Sequence, residues 1–204
     1  MANGEAVQHL YEAPGVYTVQ LTVTDTDGAT DTTTASVIVE SAAPEETLEV
    51  FDIGPVADSY AYELQANTSF GERSIMQIRG ARKDRITYLK FNVRQAPSGP
   101  VRRAELEVYA SYVSSGATVP ITVVGVDDDQ WTETGLTWNR APALGDALDR
   151  LNIREKGWYA FDVTPFVAEQ LAGDQIVSLA FLDDQERDRL VNLWSRKRSA
   201  TSRY

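Results

Sequence analysis

Residues 15–24, Gly-Val-Tyr-Thr-Val-Gln-Leu-Thr-Val-Thr, alternate apolar and polar side chains. A period of two marks a strand with one face in a core and the other in water. Tyr17, Val19, Leu21 and Val23 share one such face. Asp25-Thr26-Asp27-Gly28 is a turn signal, with Gly28 free to take positive φ. The Thr- and Val-rich residues 30–39 read as the return strand. The same pattern recurs along the chain, with strands predicted at 56–62, 74–79, 86–94, 103–112, 119–126, 158–163, 175–182 and 190–197. Short strands set apart by turn residues predict an all-β sandwich or barrel. One short helix is expected: Thr164 as N-cap, Pro165 at N1, Phe166, Val167 and Leu171 as its apolar residues, and Gly173 closing it. Residues 143–156 read as a long loop. The acidic, Pro-containing stretch Ser41-Ala42-Ala43-Pro44-Glu45-Glu46 reads as linker, which divides the chain into 1–40, a linker at 41–49, and a larger β unit at 50–204.

Composition narrows the function classes. The formal net charge is −11, but it is unevenly spread. Residues 1–49 hold nine acids and no Lys or Arg, whereas 50–204 hold 21 acids and all 19 bases, a net of −2. Within that second part, 73–103 carry nine bases against Asp84 alone, and 187–204 carry six against Asp188 alone. A bulk nucleic-acid binder is normally basic overall, so that partner is not expected. No apolar run reaches the length a membrane helix needs, so no membrane partner is expected either. The residues after Met1 lack a basic n-region of the signal-peptide kind. With no cysteine there are no disulfides, thiol nucleophiles or thiolate metal sites. The single histidine, His9, rules out a His-rich zinc site and leaves a Ser-His-Asp triad only one base, near the N-terminus.

The spacing His9-x-Tyr11-x-x-Pro14-Gly15-x-Tyr17-x-Val19-x-Leu21-x-Val23-x-Asp25, followed by Asp27-Gly28, resembles the C-terminal half of a polycystic-kidney-disease (PKD) repeat. The resemblance implies the later strands of a small Ig-like sandwich, with the chain a piece of a longer protein. Half a sandwich cannot bury both sheet faces. The larger unit resembles the DNRLRE-type domains grouped with carbohydrate-binding module family 96. Asp58-Ser59-Tyr60, Phe70-Gly71, Tyr88-Leu89-Lys90-Phe91-Asn92-Val93, Ala104-Glu105-Leu106, Trp131-Thr132-Glu133, Leu136-Thr137-Trp138-Asn139, Pro142, Asp162-Val163-Thr164 and Ser195-Arg196 carry it. Asn92 stands where the family usually has Asp, and Lys197 where it usually has Glu. The resemblance implies a jelly-roll-like antiparallel β-sandwich attached to a secreted bacterial polysaccharide-active enzyme, binding acidic chains of the alginate type. The expected partners are therefore an anionic polysaccharide and a parent catalytic domain, with the module itself a monomer.

The two basic stretches fit such a ligand, since Arg grips carboxylate or sulfate in two places and Lys supplies a point charge. Leu89, Phe91 and Val93 share one strand face and Tyr88, Lys90 and Asn92 the other, so a core under the first set displays Lys90. Asn192, Trp194 and Arg196 alternate with Val191, Leu193 and Ser195. First and last strands are often neighbours in sandwiches, so one groove is expected to hold Arg79, Lys90, Asn192, Trp194 and Arg196, with Arg94 nearby. Arg82-Lys83-Asp84-Arg85 reads as a charged hairpin tip at its rim or as a solvated turn. Trp131 and Trp138 read as core under a long loop, and Trp194 as the better candidate for stacking on a sugar. No cofactor is required, and a structural calcium ion is the one metal considered, with Asp58, Asp127 and Asp129 as its candidate ligands. Two other classes stay open: a structural or adhesive spacer of a cell-surface protein, and a polysaccharide lyase using Tyr88 beside Lys90.

Overall fold

The computed structural model describes residues 8–41, 49–81, 83–97, 99–185 and 187–197. Arg82 of the hairpin tip and most of the linker lie outside them. The chain divides into two compact units, Met1–Glu49 and Val50–Tyr204.

In the first unit, β1 (Gly15–Thr24) and β2 (Thr30–Val39) pair antiparallel in unbroken register, from Gly15 opposite Val39 to Thr24 opposite Thr30. The Asp25 carboxylate closes the turn by accepting the amides of Asp27 and Ala29, both at 2.9 Å, while Gly28 takes φ +85°. His9, Tyr11 and Tyr17 form a chain of ring contacts before and on β1. Val16, Leu21, Val23 and Ile38 of this hairpin stay exposed.

The second unit is an antiparallel jelly-roll-like β-sandwich with one short helix. Its strands are β3 (Ala57–Tyr62), β4 (Ile75–Ile78), β5 (Arg85–Asn92), β6 (Glu105–Val113), β7 (Val119–Val126), β8 (Ala147–Ile153), β9 (Gly157–Asp162), β10 (Ile176–Leu182) and β11 (Val191–Trp194). One sheet has the order β3-β5-β10-β7-β8 and the other β4-β11-β6-β9. In each, a late strand inserts between two earlier ones, as in Greek-key connections. The inward residues alternate along the central strands: Leu89 on β5, Ile121 and Val123 on β7, Leu179 and Phe181 on β10, Val108 and Ala110 on β6, Val191 and Leu193 on β11. They meet in one core between the sheets, where the rings of Phe161 and Phe181 touch edge to face.

A strand replaces part of the loop expected at 143–156. Ala147–Ile153 forms edge strand β8 against β7, turning Leu148, Leu151 and Ile153 toward the core. A register shift between Val123 and Val124 breaks its alternation, which hides the strand from period-two reading. The helix α1 (Thr164–Ala172) stands where expected, but Thr164 does not cap it. Asp162 accepts the Thr164 amide at 2.9 Å, while the Thr164 hydroxyl oxygen accepts the Ala104 amide from just before the start of the neighbouring strand β6. Gly173 closes the helix by donating to the carbonyls of Glu169 and Gln170, with φ −94° rather than a left-handed turn.

The five-stranded sheet is covered on both faces. Trp131 and Leu136, from the long β7–β8 connection, lie over its outer side with Ala57, Ala61, Tyr88, Val124, Val126 and Ala180. The Trp131 Nε1 donates to the Ser178 hydroxyl at 3.2 Å, inside this second core. Replacing Trp131 with Ala is therefore expected to cost about 3–5 kcal/mol, the range for large aromatic truncations, read as a lower urea midpoint. An unchanged midpoint would show that the loop is not a structural cover.

Candidate functional site

The sequence residues expected in one groove fall into three places. Arg79, Asn192 and Trp194 come together on the outer face of the four-stranded sheet. β11 pairs with β4, placing Asn192 opposite Gln77 and Trp194 opposite Ile75, and the Gln77 amide donates to the Asn192 side chain at 3.2 Å. Arg79 follows β4 directly and pairs with Asp188 in the loop before β11 (Nε to Oδ1, 2.6 Å). Lys83 reaches the same carboxylate at 3.6 Å. The Arg79 guanidinium, donating to the Asp188 carboxyl, holds it below its ordinary range. Arg187 and Arg189 flank Asp188 and line an open cleft of about 470 Å³ with Gly116, Ala117 and Thr118. Arg79 and Lys83 thus share one exposed anion, while the Arg187 guanidinium donates to the Thr118 carbonyl and the Gln185 side chain.

Lys90 is elsewhere. It lies on the five-stranded sheet, on the face that the β7–β8 connection covers, so it is not displayed as expected. Its ammonium donates to the carbonyls of Asp129 (2.6 Å) and Trp131 (2.5 Å) and sits 4.5 Å from the centre of the Trp131 ring. Burial draws its pKa down, against the opposing pull of the Asp129 and Asp128 charges. Arg94, exposed in the turn after β5, has its amide bonded to the Asn92 side chain at 3.1 Å. Tyr88 is also sealed under the connection. At 1% exposure its hydroxyl, which donates to the Pro142 carbonyl, does not reach the surface, and burial pushes it up to about 12.

Arg196 belongs to a third group, a polar latch between the sheets. Asp58 on β3 is 1% exposed. Its carboxylate accepts the Ser195 hydroxyl at 2.9 Å and the Arg196 amide at 2.5 Å, just past the end of β11. Glu133, from the loop, accepts the Asp58 amide at 3.0 Å and both arms of the Arg196 guanidinium at 3.0 and 2.9 Å. Lys197, at the family's usual Glu position, pairs with Glu133 at 2.7 Å and donates to the Gly71 carbonyl. A Cβ on Gly71 would lie 2.0 Å from the Glu133 carbonyl oxygen, so only glycine fits there. Asp127 is exposed, and the Asp129 carbonyl is taken by Lys90. Among the described residues no three acidic or imidazole groups converge, and the Asp58 carboxylate serves protein donors.

Two further aromatic residues complete the outer face: Tyr109, which sequence reading missed, and Trp158, of which alternation gave only that it or Tyr159 points outward. Tyr109 on β6 stacks on Trp194 with ring centres 3.9 Å apart, and Trp158 on β9 meets Tyr109 edge to face at 5.4 Å. The row crosses three neighbouring strands, because Tyr109 pairs with Trp158 in the β6–β9 register. Alternation within β9 marks one of Trp158 and Tyr159 as outward, but not what stands opposite.

A family model, Carbohydrate-binding module family 96, matches residues 49–204. The chain belongs to that family. A PKD domain model matches residues 1–39. A gellan lyase of Bacillus sp. is 26% identical over 171 residues, a stretch covering 80% of this chain and 7% of the lyase. The chain thus spans a small fraction of that enzyme's length. The latch is built from Asp58, Gly71, Glu133, Ser195 and Arg196, residues within the matched stretch that also carry the sequence resemblance.

The latch makes a pH prediction. Burial alone would raise the Glu133 carboxyl, but hydrogen bonds from Arg196, Lys197 and the Asp58 amide hold it from 4.5 down to about 2. The folded-state value is the lower one, so this stabilisation is complete above the unfolded-state value and vanishes as pH falls from about 4.5 towards 2. Glu133→Gln is expected to cost about 2–3 kcal/mol at neutral pH and to flatten the acid limb of stability against pH. Equal acid limbs in both proteins would refute the assignment.

Proposed function

We propose that residues 50–204 are a non-catalytic module that holds a secreted bacterial polysaccharide-degrading enzyme against an acidic polysaccharide, a uronate or sulfated chain of the alginate kind. The observation that carries this is the meeting of two basic stretches, distant in sequence, beside an exposed sheet face. Arg79 and Lys83 come from the β4–β5 region and Arg187 and Arg189 from the β10–β11 loop, with Asp188 between them. Guanidinium forks suit carboxylate and sulfate, and Asp188 alone does not neutralise both Arg79 and Lys83, which leaves donors for a ligand. Asn192 and Gln77 add neutral polar groups alongside. The printed name of the Bacillus relative, gellan lyase, supports attachment to a polysaccharide-degrading enzyme. Tethering a catalytic domain to its substrate raises the local concentration of cleavable bonds without any chemistry by the module. Secretion follows from the substrate, which lies outside the cell.

Affinity electrophoresis tests this against the spacer alternative. Gels containing alginate or polygalacturonate should retard the protein, and the effect should fade between about 50 and 500 mM salt as exposed charges are screened. Arg79→Ala with Arg189→Ala should weaken binding about tenfold. Lys90→Ala should lower the unfolding midpoint and leave the affinity of the folded protein unchanged. Absence of retardation by any anionic gel would favour the spacer reading.

A further inference from the structure

The outer face of the four-stranded sheet has two unlike ends. Arg79 and its cations stand past one end of β4, and Trp194 lies opposite Ile75 at the other, a separation of about 13 Å along the strand. At the far corner, on edge strand β9, Trp158 is 55% exposed. Its indole is held in place by the edge-to-face contact with Tyr109, which Trp194 supports from behind. Ala160, the next outward residue on β9, bears only a methyl group beside it. Opposite Ala160 is Glu107, exposed on β6 and therefore the diagonal neighbour of Trp158, at about 7–8 Å.

These three features select one ligand chemistry. A fixed, half-exposed indole offers an apolar plane to the C–H face of a pyranose, with little side-chain freedom left to lose on binding. The Glu107 carboxylate accepts hydrogen bonds from sugar hydroxyls and opposes a uronate at the same spot. We propose that Trp158, backed by Tyr109 and flanked by Glu107, is a subsite for an uncharged sugar. The face as a whole then fits a heteropolysaccharide in which neutral hexoses stand beside acidic ones, rather than a uronate homopolymer. This deepens the acidic-polysaccharide reading and rests on it for the cationic end only.

The test is affinity electrophoresis of the whole chain in three gels: polygalacturonate, charged at every sugar; hydroxyethylcellulose, uncharged; and carboxymethylcellulose of low substitution, charged at some sugars. Trp158→Ala is expected to abolish retardation by hydroxyethylcellulose and to weaken that by carboxymethylcellulose about tenfold. Polygalacturonate retardation should stay within about twofold of wild type. Trp158→Phe should recover part of the loss, and Glu107→Gln should strengthen polygalacturonate binding. An unchanged melting temperature for Trp158→Ala would show that the loss is one of binding. The proposal is overturned if wild type ignores both cellulose derivatives, if Trp158→Ala matches wild type in them, or if it loses all three gels alike. Failure of polygalacturonate alone to retard wild type would instead sink the cationic-end reading, leaving the hydroxyethylcellulose result to decide the subsite.

Discussion

A buried carboxylate holds this sandwich closed. Asp58 leaves the five-stranded sheet and binds the hydroxyl of Ser195 and the amide of Arg196, where the chain runs out of the four-stranded one. A carboxylate this deep is tolerated only when its oxygens find donors. Glu133 then ties the long β7–β8 connection to the same point through Arg196 and Lys197. Strand β11 is four residues long, so its end needs such an anchor. With the end fixed, Trp194 is held between Ile75 and Tyr109, and the outer face keeps its shape.

The position of the binding face follows from what the β7–β8 connection covers. By laying Trp131 and Leu136 across the outer side of the five-stranded sheet, it turns that sheet into a layer buried on both sides. Lys90 is caught beneath it and becomes a fastener for the loop's carbonyls. Among the described residues, no loop crosses the outer face of the four-stranded sheet in this way, and Trp158 and Tyr112 are exposed there. A ligand as extended as a polysaccharide needs an open, rigid surface, and this sheet supplies one.

Several parts of this architecture were legible in the chain. Alternation located nearly all the strands, and the apolar sequence around Trp131 read correctly as core. Strand β8 was not legible, because the extra residue Leu148, opposite the step from Val123 to Val124, breaks the two-residue period that would have revealed it. Lys90 was misread for a related reason. Alternation shows that it lies opposite Leu89, but not that a second core forms on its own side. Arg196 shares the alternation of Asn192 and Trp194, yet it lies past the strand end, where Glu133 draws it into the latch.

Residue order alone determined an antiparallel β-sandwich after an acidic, hairpin-bearing segment, since side-chain period, turn residues and the lack of long helical patterns are local properties. It also determined that bases gather in two stretches of an otherwise balanced unit. Which bases meet was settled by the strand order. By placing β11 between β4 and β6, the fold joined residues 187–194 to Arg79 rather than to Lys90, and lined up Trp194, Tyr109 and Trp158. Pairing between strands far apart in sequence depends on how two sheets close around one core, and no local period encodes that.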